Sequence, residues 1–321
     1  QLSPQGRLTF MEFEQNLIHI ETPLIKSNAL TARVGREIWL KLEAIQPTGS
    51  FKIRGIGFAC QAYRRQGAKR FISSSGGNAG IAAAYAGRKL SVPVVVVVPE
   101  TTTERAKDLI RQEGAQLIVH GASWQEANAV ALAMVDEHDA FIHPFDDRLI
   151  WHGHSNMVDE LAASGVKPEA IILSVGGGGL LCGVIEGLER NGWTDVPLIA
   201  VETEGADALA QSIEAGYRVE LPAITSLATS LGARKVCAQA FAWSQVVPLY
   251  SVVVSDRSAV DACLKFLADH RLLVEPACGA SLAVVYNNSA LLQAFKSILV
   301  IVCGGVTTTV DQLQRWREQL A

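Results

Sequence analysis

Short apolar runs alternate with amphipathic or alanine-rich stretches along most of this chain. The apolar runs predict nine strands, at residues 36–43, 70–74, 92–99, 115–120, 140–144, 170–175, 197–202, 250–255 and 298–303. Stretches between them, such as residues 124–137 and 258–270, have the periodicity of helices. Regular alternation of this kind predicts an α/β fold, in which helices cover both faces of twisted, parallel-rich sheets.

Composition limits the class of protein without identifying it. The chain has 321 residues, enough for two domains or one large α/β domain, and 49% of them are hydrophobic. A net charge of −4 provides no basic surface for nucleic acid. The longest apolar run, residues 92–98, is too short to span a bilayer and instead predicts a central strand. We therefore expect neither a nucleic-acid partner nor a membrane.

Cysteine and histidine positions give no disulfide or metal signature. The six cysteines form no CxxC pair, and no signal-peptide pattern is present, so we expect reduced thiols and a cytoplasmic location. The pair His152 and His154 lacks a nearby cysteine or acidic cluster, which favours a structural role over metal binding. Residues 1–10 carry no periodic signal.

The segment 47–55, PTGSFKIRG, contains the first candidate for catalysis. Pro47 and Gly49 predict a tight turn, after which Lys52 stands between the apolar residues Phe51 and Ile53. A lysine in a partly desolvated setting spends more time uncharged and can attack a carbonyl carbon. For a lone lysine, the ordinary alternative is a surface side chain at the start of a helix.

Two glycine-containing segments follow apolar strands and predict anion-binding turns. Residues 73–80, SSSGGNAG, precede a helix-forming stretch and leave backbone N–H groups available to a carboxylate. Residues 176–181, GGGGLL, allow the backbone to surround a phosphate at a helix N-terminus. The second run fails both the dinucleotide and the P-loop patterns, so a phosphate monoester fits it best. A turn without a ligand remains the alternative for each segment.

A further motif lies near the end of the chain, where the apolar run 298–302 leads into Cys303, Gly304 and Gly305. Cys303 is either a buried apolar filler or a neutral hydrogen-bonding group at the end of a strand.

Together with residues 22–24 (TPL), 144–147 (PFDD) and 274–280 (VEPACGA), these motifs resemble the serine/threonine dehydratase family. This family belongs to the fold type II, or tryptophan synthase β-like, pyridoxal-phosphate enzymes. The resemblance covers nearly the whole chain and is closest to the L-serine dehydratase branch. It implies a large cofactor-binding domain (residues 1–44 and 146–321), a small domain (45–145), a cofactor in the cleft, and a homodimer.

The resemblance also implies a role for each matching residue. Lys52 would be the Schiff-base lysine and the base at the substrate Cα. The remaining cofactor contacts would be Phe51 and Ser230 on the ring faces, Asn78 at the 3′ oxygen, Cys303 at the pyridine nitrogen, and Gly176, Gly177, Gly178, Gly179 and Leu180 at the phosphate. The substrate contacts would be Ser75, Gly76, Gly77, Ala79 and Phe145. A monovalent cation, with potassium the natural choice, would be held by Glu202 and the carbonyls of Gly176, Ala206, Leu231 and Ala233.

For Glu202, a carboxylate at a helix N-terminus without an ion is an equally weighted alternative.

A neutral thiol at the pyridine nitrogen favours loss of a β-hydroxyl coupled to proton removal. The expected reaction is therefore conversion of L-serine to pyruvate and ammonia, with L-threonine giving 2-oxobutanoate.

Two positions depart from the pattern. Gly76 stands where many dehydratases have alanine and racemases have serine, and Ser230 stands where relatives have alanine. Because Gly76 has no side chain to exchange a proton, racemisation is disfavoured. A β-replacing synthase, an amino-acid racemase and a catalytically weak regulatory protein remain the alternative functions.

Overall fold

The computed structural model describes residues 17–321. The strands are β1 (Leu24–Lys26), β2 (Glu37–Lys41), β3 (Arg70–Ser73), β4 (Val94–Val98), β5 (Gln116–Val119), β6 (Asp139–Phe141), β7 (Ala170–Ser174), β8 (Leu198–Thr203), β9 (Leu249–Val254) and β10 (Ser297–Ile301).

The helices that lie between or beside these strands are α1 (Asn28–Val34), α2 (Lys52–Arg65), α3 (Asn78–Leu90), α4 (Glu104–Gln112), α5 (Trp124–Ala133), α6 (Arg148–Ala163), α7 (Gly179–Arg190), α8 (Ala208–Ala215), α9 (Ala238–Ser244), α10 (Asp256–His270), α11 (Pro276–Tyr286) and α12 (Val310–Gln319). Short 3₁₀ helices span Glu43–Ile45, Thr229–Leu231 and Ala290–Ala294.

One compact unit contains Lys52–Gly153 together with the described residues 17–20. Its four strands are parallel and lie in the order β5-β4-β3-β6. All five valines of β4 are buried, as a central strand requires. Helix α5 covers the sheet by packing Ala127 and Ala131 against a core that includes Ile72.

The second unit contains Glu21–Phe51 and His154–Ala321. Its six strands lie in the order β1-β2-β10-β7-β8-β9, and only the β1–β2 pair is antiparallel. Helix α11 begins with Pro276 at its first turn and is buried along its whole length against β7 and β8. The sheet is thus built around β10, the last strand in sequence.

The predicted α/β class and all nine predicted strands are confirmed. Strand β1 was not predicted because it is three residues long and two of them are exposed. The two compact units divide after Phe51 and after Gly153, the second time inside α6, and the predicted small domain at residues 45–145 stays a prediction. Which unit serves the cofactor stays a prediction, and residues 1–10 lie outside the described residues. No helix within residues 17–321 is long and apolar enough to cross a membrane.

Candidate active site

Lys52 is the first residue of α2 and its side chain is half-buried. Its Nζ donates a hydrogen bond of 2.6 Å to the carbonyl of Pro144. The amino group is therefore fixed beside the PFDD segment, next to the predicted substrate residue Phe145. In this unit the structure brings together two of the predicted positions that lie more than ninety residues apart.

His143 organises the segment to which Lys52 is bound. Its Nδ1 accepts hydrogen bonds from the backbone amides of Phe145 (3.1 Å) and Asp146 (2.8 Å), and its ring packs edge-on against Phe145. Burial lowers the pKa of His143, and the positive charge of Lys52 lowers it further, against the opposing carboxylates of Asp146 and Asp147. The imidazole is thus favoured in the neutral form that its acceptor role at Nδ1 requires.

The loop of residues 75–79 joins β3 to the N-terminus of α3. Gly77 is the N-cap residue, and no side chain caps the helix, so its first N–H groups remain available to an anion. The Ser75 hydroxyl accepts a hydrogen bond from the Gly77 amide, which shapes the turn. A Cβ atom on Gly80 would lie 1.8 Å from the Ser75 carbonyl oxygen, so this position requires glycine. Asn78 and Ala79 are buried at the start of the helix.

In the other unit, the glycine run follows the fully buried strand β7 and opens α7. Gly178 is the N-cap with φ of 97°, and no side chain caps this helix either. A Cβ on Gly178 would lie 2.4 Å from Ala240 Cβ, and one on Gly176 would lie 3.1 Å from the Ser230 carbonyl oxygen. The backbone is therefore closely packed on its outer side, and the orphan N–H groups of α7 fit a phosphate.

Cys303 lies just beyond β10, and its side chain is almost fully buried. The Cys303 thiol is hydrogen-bonded to the Cys278 thiol, and this bond, reinforced by burial and by the charge of Glu275, raises its pKa well above the ordinary value. The group therefore stays a neutral thiol at physiological pH. Cys278 and Glu275 belong to the VEPACGA motif, but the motif alone assigned them no role.

A backbone ladder holds the turn before Lys52 against the end of β10. The Phe51 amide donates to the Cys303 carbonyl (3.1 Å), the Gly305 amide donates to the Gly49 carbonyl (2.8 Å), and Ser50 forms an antiparallel bridge with Gly304. A Cβ on Gly304 would lie 2.4 Å from the Gly49 carbonyl oxygen, so only glycine allows this approach. The predicted ring contact Phe51 and the predicted nitrogen partner Cys303 are thus adjacent.

Glu202 is the penultimate residue of β8, and its side chain is fully buried. Its two carboxylate oxygens accept hydrogen bonds of 2.8 Å from the backbone amides of Leu209 and Ala210 in the first turn of α8. Burial raises the pKa of Glu202 to about 8 against the effect of these two bonds, with a smaller contribution from Asp207. This is the helix N-terminal arrangement that the sequence offered as the alternative to cation binding.

The other residues predicted to bind the cation would contribute only their backbone carbonyls. The Leu231 carbonyl already accepts a hydrogen bond of 2.9 Å from the Ala233 amide. Ser230 is exposed within the 3₁₀ turn Thr229–Leu231. Among residues 17–321 there is no cluster of three or more histidine, cysteine or acidic side chains that could hold a metal ion. The monovalent cation stays a prediction, and a site for it would depend on Glu202 and on backbone oxygens.

Comparison with known proteins decides the family. A family model described as pyridoxal-phosphate dependent enzyme matches residues 16–304. The chain belongs to this family. L-serine dehydratase/L-threonine deaminase of Homo sapiens is 46% identical over 314 residues, which cover 94% of this chain and 96% of the relative.

Solved structures agree with this family. The L-serine ammonia-lyase from Rhizomucor miehei is 38% identical, with a TM-score of 0.90 and coverage of 95% of this chain and 99% of that one. Maize serine racemase is 26% identical, with a TM-score of 0.86 and coverage of 97% and 96%. The predicted resemblance to fold type II pyridoxal-phosphate enzymes is confirmed.

Proposed function

We propose that the protein converts L-serine to pyruvate and ammonia, and L-threonine to 2-oxobutanoate and ammonia, with pyridoxal phosphate as cofactor. The observation that carries this proposal is the 46% identity, over nearly the full length of both chains, to the human L-serine dehydratase/L-threonine deaminase. The motif around Lys52 and the glycine run are both intact within the aligned family region.

The residues present fit the cofactor. The uncapped N-terminus of α7, formed by Gly176, Gly177, Gly178, Gly179 and Leu180, offers backbone donors for a phosphate monoester. Cys303 offers a neutral thiol for the pyridine nitrogen, Phe51 and Ser230 offer contacts for the ring faces, and Asn78 offers an amide for the 3′ oxygen. When bound, pyridoxal phosphate supplies a ring that withdraws electrons from the substrate Cα.

The chain's own groups then have distinct tasks in the reaction. The substrate carboxylate binds the backbone donors of residues 75–79, in the loop that contains Ser75, Gly76, Gly77 and Ala79, with Phe145 beside them. Lys52 Nζ would hold the cofactor until the substrate displaces it, and the freed amino group would then accept the proton from the substrate Cα. In the structure, Nζ donates a hydrogen bond to the Pro144 carbonyl, which helps to orient the amino group. Such positioning of a base lowers a barrier by as much as ~7–11 kcal/mol.

Gly76 argues for elimination over racemisation. Inverting Cα requires a second base on the opposite face of the substrate, and glycine supplies no side chain for that step. The maize racemase likeness is therefore a likeness of fold, and we assign the elimination activity to this chain.

An absorbance scan with a product assay tests the proposal. Purified protein with pyridoxal phosphate should show an absorbance band at the edge of the visible range that changes on adding L-serine, while pyruvate and ammonia appear. Lys52→Ala should lose the band and the products, whereas Lys69→Ala, an exposed lysine of the same unit, should retain both. D-serine in place of pyruvate would assign the chain as a racemase, and a band without product would leave only cofactor binding.

We also propose a monovalent cation, potassium, at Glu202 with the carbonyls of Gly176, Ala206, Leu231 and Ala233. A buried carboxyl oxygen together with backbone carbonyls would be a ligand set that suits a hard cation. The homodimer that the resemblance implies is a further proposal, and sedimentation equilibrium of the holoenzyme tests it, with a monomer mass as the contrary result.

A further inference from the structure

Thr102 occupies the space that a side chain at position 76 would fill. A Cβ atom placed on Gly76 would lie 2.8 Å from both Cγ2 and Oγ1 of Thr102. Both distances are shorter than ordinary van der Waals contacts, so any side chain at position 76 would require Thr102 to shift. The methyl group and the hydroxyl of Thr102 thus lie directly against the loop of residues 75–79.

The position of Thr102 is fixed by its own loop, which joins β4 to α4. The Thr102 amide donates to the Pro99 carbonyl (3.1 Å), and the Glu100 amide donates to the Gly121 carbonyl (2.9 Å). The next residue, Thr103, caps α4 by accepting a hydrogen bond from the Ala106 amide at its side chain. These bonds hold the backbone of Thr102 beside Gly76.

Thr102 is half-buried, whereas its neighbours Thr101 and Thr103 are exposed. Thr103 uses its hydroxyl as the helix cap, and Thr101 is exposed to solvent. Within residues 17–321 the Thr102 hydroxyl makes no hydrogen bond. A donor is therefore available beside the backbone N–H groups at the start of α3.

We propose that Thr102 is a specificity-determining residue of the substrate site. Its hydroxyl donates a hydrogen bond to the carboxylate of the amino acid held by the loop of residues 75–79, and its methyl group limits the space beside Gly76. This inference rests on the proposed function, because it takes that loop as the carboxylate site. Gly76 and Thr102 then form one complementary pair, in which the absence of a side chain at position 76 leaves room for Thr102.

Binding of an unreactive ligand tests the hydrogen bond. L-alanine has the substrate's carboxylate and amino group but no leaving hydroxyl, so its dissociation constant can be measured on the holoenzyme by calorimetry. Thr102→Val keeps the shape and removes the donor, and it should weaken L-alanine binding and raise the KM for L-serine by ~10-fold or more, with kcat within about twofold. Thr102→Ser should restore binding to within about threefold. Thr101→Val is the matched control and should bind as the parent does.

Equal affinity of the parent and Thr102→Val for L-alanine would overturn the hydrogen bond. A loss in Thr102→Val that Thr102→Ser does not recover would also overturn it, because the methyl group rather than the hydroxyl would then be responsible.

A second experiment tests the packing of the pair and requires no turnover. In the protein without cofactor, Gly76→Ala should lower Tm, because the new Cβ overlaps Thr102. In the Thr102→Ala background the same Gly76→Ala change should cost far less, so the two changes are coupled. If Gly76→Ala lowered Tm equally in the parent and in the Thr102→Ala variant, the pairing of the two residues would be overturned. A parent holoenzyme that forms no pyruvate would instead refute the proposed function, and the Tm comparison would still decide whether the pair exists.

Discussion

The buried carboxyl of Glu202 should make the stability of the protein fall as pH rises. Its pKa is about 8 in the folded state and 4.5 when unperturbed, so between these values the folded chain binds a proton that the unfolded chain has released. Stability therefore decreases with pH across this window, and the decrease ends above pH 8. At ~1.4 kcal/mol for each pKa unit, the whole effect on the free energy of unfolding is about 5 kcal/mol. This is an upper limit, because hydration of the carboxyl reduces the shift in its pKa.

Glu202→Gln removes the titration while preserving the size of the side chain. The glutamine oxygen can accept from only one of the Leu209 and Ala210 amides, so the variant loses a constant amount of stability at every pH. The informative quantity is thus how the difference in unfolding free energy between the two proteins changes with pH. Between pH 5 and pH 9, in tetramethylammonium chloride, this difference should shift in favour of Glu202→Gln by ~3–5 kcal/mol. The exposed neighbour Glu204→Gln provides the control and should show no such shift.

The same experiment tests the cation. Binding of potassium requires the ionised carboxylate, so replacing tetramethylammonium by potassium at equal ionic strength should stabilise the parent protein progressively more as pH rises. Glu202→Gln should lose most of this gain. A pH-independent difference between the two proteins would refute the raised pKa, and equal Tm values in the two salts at pH 9 would refute the cation site.

Three further predictions concern other parts of the site. Cys278→Ala should lower the pKa of Cys303, because the hydrogen bond between the two thiols is the largest cause of its rise. Alkylation of Cys303 at a series of pH values, followed by peptide mass spectrometry, measures that pKa. An unchanged midpoint of the alkylation profile would contradict the prediction. Gly178→Ala should cost ~1–3 kcal/mol more stability than Gly216→Ala, because both glycines have positive φ but only the first is packed against another chain segment; equal losses in denaturant unfolding would contradict the packing argument. His143→Asn should make unfolding less sensitive to acid below pH 6.5, because the unfolded chain protonates His143 before the folded chain does; parallel pH profiles of the variant and the parent would contradict the lowered pKa.

Local sequence patterns predicted the fold because its strands are either apolar throughout or bounded by clear turns. The run that became β4 is buried on both faces, and such a strand is recognisable without knowledge of its neighbours. Strand β1 has no such signal, since only pairing with β2 keeps its three residues extended. The division of the units depends on long-range bonds in the same way: residues 49–51 pair with residues 303–305, and no local pattern contains that information.

The candidate site shows the same limit. Lys52 and the glycine run were predicted from the sequence because each belongs to a motif of consecutive residues. Thr102 was not predicted, because it contacts Gly76 from a different loop. No local pattern in either loop indicates that contact. The two bonds from α8 to Glu202 likewise depend on how the helix is placed after β8, and the sequence could only offer this arrangement beside the cation.

The central place of β10 has a consequence for synthesis of the protein. Strands β2 and β7 do not pair with each other but each pairs with β10, which is the last of the six to leave the ribosome. Until then the two earlier strands expose unpaired edges, and the turn before Lys52 has no partner at residues 303–305. The nascent chain therefore has a long interval in which chaperones can bind it, and it gains a fixed lysine turn only after β10 has been synthesised.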